Sequence, residues 1–296
     1  MNQNNVFRWL LNTRDLWYTP FEGVEPFKST DHWATGHDAQ RGLGFLSPPE
    51  QAKVLKFYRQ SDAKLCLGSC LMKRRAISDA LGINWADVII SEDENRKPCY
   101  RPSASSPKPM EFNVSHHGTL VALVGCVGND TKLGVDIVRM SWEKDYTKVM
   151  EEGFEAWATT YEMVFSDREV RDIADYIPPP QTSKQEEVRA RLRHFYAHWC
   201  MKEAYVKMTG EALLANWLKA LEFRNVQVPA PAVTGDWGES CTSAEIWFHG
   251  ERVLDVKLEI QAYKDDYMVA TCSSNLSTSF GAFHICDLDN DIYPKT

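Results

Sequence analysis

The amino-acid sequence predicts an α+β fold, and two observations support that class. The chain has 296 residues, of which 44% are hydrophobic and 25% are charged, as in globular proteins large enough for one big core or two domains. Helical stretches and apolar β-type runs occur in both halves, without a long internal repeat. This order allows two similar α+β lobes, which we place at residues 1–131 and 132–296, with an insertion or loop near 176–187.

The charge and composition exclude several classes of protein. A net charge of −8 argues against a dedicated nucleic-acid binder, because phosphate neutralisation needs a basic surface. No apolar run approaches the roughly 20 residues that span a bilayer, and the polar start does not resemble a signal peptide. Eight cysteines without a CxxC pair indicate reduced thiols and neither a disulfide framework nor a zinc site. We therefore expect a cytoplasmic protein that does not bind membranes.

Basic residues are nevertheless concentrated in the N-terminal half of the chain. A local basic field within an acidic protein suits a small polyanion or an acidic partner protein. The residues concerned are Lys53, Lys56, Lys64, Lys73, Arg74, Arg75, Arg96 and Lys97.

The first long helices are predicted after residue 46, because residues 6–46 are rich in Trp, Phe and Gly and suggest only short strands and turns. Ser47, two prolines and Glu50 form a capping-box start, and this helix should end near Arg59.

A longer helix is predicted from Asp62, its cap, to Leu81, with Gly82 as the stop. Its apolar residues suit burial of one face. Its basic residues are expected to be mainly solvated; these are Lys73, Arg74 and Arg75.

Apolar runs of β type follow this helix. The first covers residues 85–90 and leads into a charged loop over 91–98. Two further strands are predicted over 120–127 and 134–138, and the second contains Asp136. A carboxylate within a short apolar strand is costly to desolvate unless it is paired or binds a metal. Asp136 therefore needs a partner.

The C-terminal half is predicted to contain a helix over 149–161, a capping box of Ser166 with Glu169, and a central helix over 186–208 that Gly210 ends. After this helix β character resumes over residues 218–228. Antiparallel strands are then predicted over 243–249, 252–263 and 266–272.

One face of the central helix carries Trp199, Glu203 and Lys207 at successive turns. One interpretation is an exposed Glu–Lys pair at helical spacing, worth roughly 0.2–0.5 kcal/mol. The other is a functional site, which requires matching residues elsewhere in the chain.

Three separated segments supply such matches. The segments are Asn113-Val114-Ser115-His116, Gly134-Val135-Asp136-Ile137 and the stretch from Trp199 to Lys207. Together, in order and spacing, they resemble the 4′-phosphopantetheinyl transferase superfamily, in its larger Sfp-type branch. The central stretch and its continuation through residues 213–219 look most similar to filamentous-fungal members. The resemblance extends from about residue 46 to about residue 272.

The resemblance implies a pseudo-twofold pair of α+β lobes with coenzyme A and Mg²⁺ between them, and two lobes in one chain favour a monomer. In that family the metal is bound by the residues that here are Asp136 and Glu203, and Mg²⁺ accepts a few hard oxygen ligands plus waters and phosphate oxygens. The chain departs from the bacterial pattern at Val138, where a second acidic residue is usual. Water or a neighbouring group such as His117 would then complete the coordination of the metal. If His117 is not a ligand, it has no role in the site.

Residues that bind coenzyme A are implied by the same resemblance. His116 is expected at the 3′-phosphate, Lys97 at the nucleotide phosphates, and Lys53 as a basic 3′-phosphate ligand. Solvated helix side chains remain an equal alternative for Lys64 and Arg74. The full implied set is Lys53, Lys64, Arg74, Lys97, Pro98, Ser115, His116, Lys202 and Lys207.

The implied reaction is attack of a carrier-protein serine hydroxyl on the β-phosphate of coenzyme A, with release of 3′,5′-ADP. Phosphoryl transfer is catalysed chiefly by positioning and charge neutralisation. The metal on Asp136 and Glu203 would bridge the diphosphate, and Lys207 would stabilise the leaving group. Glu203, directly or through a water, is the first candidate for the base, and a metal-bound hydroxide is the alternative. Lys202 would orient the phosphate or the glutamate.

The implied partners are acyl, peptidyl or aryl carrier domains, including those of lysine biosynthesis (aminoadipate-reductase type), polyketide synthases and nonribosomal peptide synthetases. Their acidic helices suit a basic groove. The alternative function is a non-catalytic module that binds coenzyme A or a carrier protein, and such a module does not need both metal ligands. A zinc or Cys/His nucleophile enzyme finds no suitable ligand spacing.

Overall fold

The computed structural model describes residues 5–17, 30–102, 108–128, 130–140, 142–180, 183–211 and 217–295. Helices and sheets occur along the whole chain, so the fold belongs to the mixed α+β class. The chain divides into two compact units, residues 1–130 with 278–296 and residues 131–277. Our predicted boundary assigns residues 278–296 to the C-terminal lobe, whereas in the structure they pack with the first unit.

The first unit contains a four-stranded sheet. Its strands are β1 (Asn5–Asn12), β4 (Met110–His117), β5 (Leu120–Val127) and β12 (Ser279–Ile285), arranged in the order β12-β1-β5-β4. β1 runs parallel to β12 and antiparallel to β5, which also pairs antiparallel with β4. The strand predicted over 120–127 is confirmed. The pairing of β12 with β1 had no signal in the sequence.

Four helices of the described residues belong to this unit: α1 (Thr30–Trp33), α2 (His37–Gly44), α3 (Pro48–Leu55) and α4 (Gln60–Leu81). The capping box at the start of α3 is confirmed, because the backbone N–H of Ser47 donates to Glu50 Oε2 at 3.0 Å. Gly82 ends α4 in the left-handed conformation, with φ 66°, as predicted. Asp62 is not the cap, since α4 already begins at Gln60. The expectation of short strands and turns over residues 6–46 is wrong for residues 30–33 and 37–44, which form α1 and α2.

A small hairpin follows α4. It consists of β2 (Ile90–Glu92) and β3 (Pro98–Tyr100), and residues 93–97 form its turn. The strand predicted over 85–90 is wrong except at Ile90, which begins β2, and Trp85–Asp87 form a 3-10 turn. The indole N–H of Trp85 donates to the Phe45 carbonyl at 2.8 Å, which anchors this turn beside α2.

The second unit is built around one long helix, α8 (Lys184–Thr209), which packs on an antiparallel sheet. The sheet contains β6 (Leu133–Arg139), β10 (Lys257–Tyr263) and β11 (Tyr267–Ser273), in the order β10-β11-β6. The predicted central helix is confirmed, and Gly210 ends it with φ 85°. A second small sheet consists of β7 (Leu221–Arg224), β8 (Glu245–Phe248) and β9 (Glu251–Arg252).

Three shorter helices precede α8: α5 (Trp142–Glu152), α6 (Phe154–Thr159) and α7 (Asp167–Ala174). The single helix predicted over 149–161 is wrong, because Gly153, with φ 85°, separates α5 from α6. The capping box of Ser166 with Glu169 is confirmed. Residues 181 and 182 of the predicted insertion lie outside the described residues. Within the described chain, no helix combines the length and apolar character needed to cross a membrane.

Candidate functional site

An aspartate of β6 and two residues of α8 form a charged cluster in the second unit. Lys207 Nζ lies 2.6 Å from Asp136 Oδ1, although the two residues are 71 positions apart in the sequence. Glu203 precedes Lys207 by one turn and interacts electrostatically with both groups. The structure therefore brings together the residues that were predicted to be catalytic.

Gly134 explains how α8 comes so close to β6. A Cβ atom on Gly134 would lie 2.0 Å from the Ala204 carbonyl oxygen and 2.5 Å from the Met208 nitrogen, both of which belong to the backbone of α8. Only a residue without a side chain fits there. Because Asp136 follows two positions later, the same contact brings its carboxylate to the face of α8 that carries Glu203.

The surroundings of Asp136 are almost closed to solvent. Its exposed fraction is 5%, and the Cys200 thiol of α8 donates to its backbone carbonyl at 3.4 Å. Val138, two positions further along β6, is buried in the apolar core between α8 and the sheet. β6 therefore contributes one carboxylate to the cluster and not two.

The pKa values of the cluster follow from burial and from the three charges. The pKa of Glu203 is raised to about 7, first by burial and then by the charge of Asp136, while Lys207 opposes the shift. Burial lowers the pKa of Lys207, but Asp136 and Glu203 together raise it above its ordinary value. Near neutral pH the lysine is therefore charged, while Glu203 gains or loses a proton readily.

The cluster fits a hard divalent cation. The charge of Asp136 raises the cost of ionising Glu203, and a cation bound to both carboxylates would relieve this cost. No group of three or more His, Cys, Asp or Glu that could hold a metal occurs among the described residues. A metal here would thus have two protein carboxylates, which suits Mg²⁺ because it keeps several waters and accepts phosphate oxygens.

Lys202 does not join this cluster, contrary to our prediction that it contacts the coenzyme. Its side chain is buried, and its Nζ lies 2.6 Å from Glu169 Oε2 on α7. It also donates to the carbonyls of Val164 at 3.0 Å and Leu221 at 2.8 Å. Neighbouring positions of a helix point about 100° apart, so Lys202 faces the core while Glu203 faces the site. Lys202 is thus a structural residue that connects α8, α7 and β7.

Two of the predicted coenzyme ligands, Lys53 and Pro98, line one pocket of about 370 Å³ in the first unit. Lys73 of α4 lines it as well. Lys53 is half-exposed, with its Nζ 3.5 Å from Glu92 Oε1. Lys97, the neighbour of Pro98, is held by Glu111 of β4 at 2.7 Å. Basic side chains thus do converge in this unit.

The basic run of α4 is buried, so the prediction that it is mainly solvated is wrong. Arg74 forms an ion pair with Glu50 at 2.8 Å and donates to the Trp85 carbonyl at 3.1 Å. Arg75 pairs with Asp79 at 2.7 Å. Both guanidinium groups are thus paired with carboxylates of the first unit. Arg74 accordingly supports the packing of α3 on α4, and this contact favours the structural alternative over coenzyme binding.

The remaining predicted ligands lie at two places in the first unit. Ser115 and His116 are adjacent on β4, so that one points to each face of the sheet; Ser115 is buried and His116 is exposed. His117 ends the same strand and is exposed. Lys64 lines a different pocket, beside Arg14.

Sequence reasoning missed three residues that shape these sites: Gly134, Glu169 and Lys73. The glycine of the GVD segment was visible, but its close contact with α8 was not. The capping box identified Glu169 as a helix cap, and its carboxylate also holds Lys202 and accepts the Phe223 N–H at 3.0 Å.

Comparisons with known proteins agree with this arrangement. A family model described as 4′-phosphopantetheinyl transferase, N-terminal, matches residues 32–128. The model of the 4′-phosphopantetheinyl transferase superfamily matches residues 132–272. The first match therefore covers the elements that carry Lys53, Lys97 and His116, and the second covers β6 and α8, which carry Asp136, Glu203 and Lys207.

Curated relatives extend the similarity over nearly the whole chain. A 4′-phosphopantetheinyl transferase of Aureobasidium melanogenum is 35% identical, over 96% of this chain and 95% of its own length. The 4′-phosphopantetheinyl transferase NpgA of Emericella nidulans is 34% identical, over 90% and 81%. The L-aminoadipate-semialdehyde dehydrogenase-phosphopantetheinyl transferase of Schizosaccharomyces pombe is 27% identical, over 72% of each chain. The chain therefore belongs to the 4′-phosphopantetheinyl transferase superfamily, the enzymes that transfer phosphopantetheine to carrier proteins.

Proposed function

We propose that this chain transfers the 4′-phosphopantetheine of coenzyme A to a serine hydroxyl of apo acyl, peptidyl or aryl carrier domains, in the cytoplasm, as a monomer that requires Mg²⁺. The observation that carries the proposal is the cluster of Asp136, Glu203 and Lys207. Two carboxylates and an ammonium from distant segments are what a metal-assisted transfer of a diphosphate needs. A module that only binds coenzyme A has no use for both carboxylates.

Asp136 and Glu203 would hold the metal, which when bound neutralises charge on the diphosphate of coenzyme A. Lys207 leaves Asp136 to contact the α-phosphate. Glu203, directly or through a water, accepts the proton of the serine hydroxyl. The serine oxygen bonds to the β-phosphorus, the bond from this phosphorus to the bridging oxygen breaks, and 3′,5′-ADP leaves with the electron pair. Lys207 stabilises the charge that develops on it.

The nucleotide part of coenzyme A is proposed to contact the first unit. Lys53, Lys97 and His116 bind its phosphates, and Pro98 and Ser115 contact the coenzyme beside them. Lys73 adds a cation to the pocket that Lys53 and Pro98 line. The two units would then be the two similar lobes that the resemblance implies. Arg74 and Lys202 stay outside the proposed coenzyme site, because their charges are satisfied elsewhere. Lys64 stays outside it as well, because it lines a different pocket from Lys53 and Pro98.

The test is a mass measurement on apo carrier domains. The purified protein, with coenzyme A and Mg²⁺, should add the mass of one phosphopantetheine to the acceptor serine. Chelation of the metal, Asp136→Asn and Glu203→Gln should each abolish the gain. No mass gain on any of several apo carriers with the wild-type protein would refute the proposal.

A further inference from the structure

A second pocket in the first unit has no lining residue among those proposed for the nucleotide. Its volume is about 570 Å³, and it shares no lining residue with the pocket of Lys53 and Pro98. Its walls come from the end of β1, the start of α4 and the turn between β4 and β5. Arg14, Arg59 and Lys64 line it, and none of its described lining residues is acidic. The pocket of Lys53, in contrast, includes Glu50 and Glu92.

Lys64 is the deepest of the three cations. Its side chain is 7% exposed, and the described residues offer its ammonium one hydrogen bond, to the Arg14 carbonyl at 3.4 Å. Burial lowers the pKa of Lys64, and the charge of Asp15 opposes this effect. An ammonium group has three donors, and a buried charge needs compensation. An anion in the pocket would supply it.

The start of α4 adds to the positive character of the pocket. The helix has 22 residues and begins at Gln60, which lines the pocket, and its N-cap residue Arg59 gives it no side-chain hydrogen bond. The first backbone N–H groups of a helix carry partial positive charge and attract anions. Lys64, one turn into α4, places a full charge beside them.

Apolar side chains are exposed in the chain that leads into the pocket, and we call these three residues its rim. Leu55 at the end of α3 and Phe57 and Tyr58 in the following connection have 41%, 38% and 76% of their surface exposed, and of the three Tyr58 lines the pocket. Exposed apolar groups beside Arg and Tyr side chains are typical of the centres of protein interfaces. A small anion would use the cations but not this rim.

We propose that this pocket and its rim dock the carrier domain, with Lys64 and Arg14 binding a carboxylate that the carrier presents next to apolar side chains. The proposal rests on the proposed function, because it names where the protein substrate of that reaction binds. Charge complementarity selects the occupant. Three cations, with no acidic residue among the described lining residues, favour an acidic partner, and the exposed apolar rim favours a macromolecule over a small anion.

The experiment measures carrier and coenzyme separately. Lys64→Met keeps the packing volume, Arg14→Gln removes a second charge, and Tyr58→Ala removes the exposed ring. Each variant should raise the KM for the apo carrier about tenfold and leave the KM for coenzyme A unchanged. The matched control is Lys56→Gln, an exposed lysine of the same connection that does not line the pocket.

A second experiment measures carrier binding without catalysis. An apo carrier whose acceptor serine is replaced by alanine should bind the wild-type protein without coenzyme A. The Lys64→Met and Tyr58→Ala variants should bind this carrier about tenfold more weakly. Because Lys64→Met removes a charge, its affinity should also depend less on salt than the wild-type affinity does. A rise in the KM for coenzyme A alone would show that the pocket holds a phosphate of the coenzyme and would overturn the proposal. Unchanged carrier binding in both variants would overturn it too. If the wild type transfers nothing, the proposed function fails, and the binding experiment still tests whether this pocket docks a carrier domain.

Discussion

Glu203 is a proton-binding site because burial and the nearby Asp136 carboxylate make its ionisation costly. The pKa of Glu203 lies near 7 in the absence of metal, so a proton occupies this carboxyl at lower pH. A metal ion can bind only the ionised form, and metal binding therefore displaces that proton. The protonation of one residue thus controls how well the site takes a cation.

We predict that the affinity for Mg²⁺ rises with pH and levels off above about 7, because the raised pKa of Glu203 leaves it protonated below that value. Titration calorimetry in buffers of different ionisation enthalpy should detect protons released on metal binding near pH 6.5 to 7. Glu203→Gln should abolish the release. Equal affinity on both sides of neutral pH would show that Glu203 is not a ligand.

Lys207→Ala should cost on the order of 3 kcal/mol of transition-state stabilisation, because it removes the cation proposed for the leaving group. The loss should appear in kcat, measured with saturating carrier and coenzyme A. Lys219→Ala is the control, since Lys219 is a half-exposed surface lysine whose Nζ lies 3.6 Å from Asp167. Unchanged kcat in Lys207→Ala would show that the ion pair of Lys207 with Asp136 is only structural.

At the scale of elements, the contact of α8 with β6 decides the geometry of the cluster. Gly134→Ala places a methyl group where the α8 backbone now lies, 2.0 Å from the Ala204 carbonyl oxygen, so helix and strand must move apart. We expect about 1–3 kcal/mol of lost stability or more, as for other overpacked sites, with a loss of metal affinity. Gly44→Ala is the control, because nothing lies within 4 Å of its added methyl group. Urea unfolding and Mg²⁺ titration measure the two effects.

The buried pair of Lys202 with Glu169 holds α8 to α7. Lys202→Met leaves the Glu169 carboxylate buried without its ion pair, which should cost about 3–5 kcal/mol of unfolding free energy. Lys202→Met with Glu169→Gln should recover part of this loss, because no buried charge remains. In the folded fraction the KM for coenzyme A should not change. A raised KM with normal stability would instead support the predicted contact of Lys202 with the coenzyme.

How far the sequence predicts this fold depends on how local each determinant is. The ends of α8 and α4 follow from Gly210 and Gly82, and β5 follows from its own apolar run, so these elements were placed almost correctly. The burial of Arg74 and Lys202 depends on carboxylates 24 and 33 positions away, and no local pattern identifies such partners.

The site shows the same division. Asp136, Glu203 and Lys207 were found because their motifs have a family pattern, and the structure places them together. The requirement for glycine at position 134 and the raised pKa of Glu203 both arise only when α8 packs on β6. Since both effects are tertiary, the sequence alone indicated which residues to examine but not how their environment tunes them.

At the scale of the molecule, residues 278–296 complete the first unit. The Arg8 guanidinium of β1 lies 4.5 Å from the centre of the Phe283 ring on β12. The Tyr293 hydroxyl accepts a hydrogen bond from the Trp17 indole at 2.8 Å, and Arg41 of α2 lies 4.5 Å from the centre of the Tyr293 ring. The first unit is thus formed by two segments of the chain.

A variant that ends at Ser277 should lose the stability of the first unit, because it leaves one edge of β1 unpaired and the Trp17 indole without its partner. Limited proteolysis should then cleave residues 30–130 rapidly while the second unit resists. A variant lacking only residues 294–296 is the control and should resist as the full chain does. Equal protease resistance of all three proteins would contradict this role of β12.

The parallel pairing of β1 with β12 also sets an order for events on the ribosome. The strand that completes the first sheet is synthesised more than 260 residues after its partner, since Asn5 pairs with Ser279. The second unit, a continuous segment, can fold as soon as it has emerged, whereas the first must wait with an open sheet edge. During synthesis this edge is a natural target for chaperones, and premature release of the chain would expose it to aggregation.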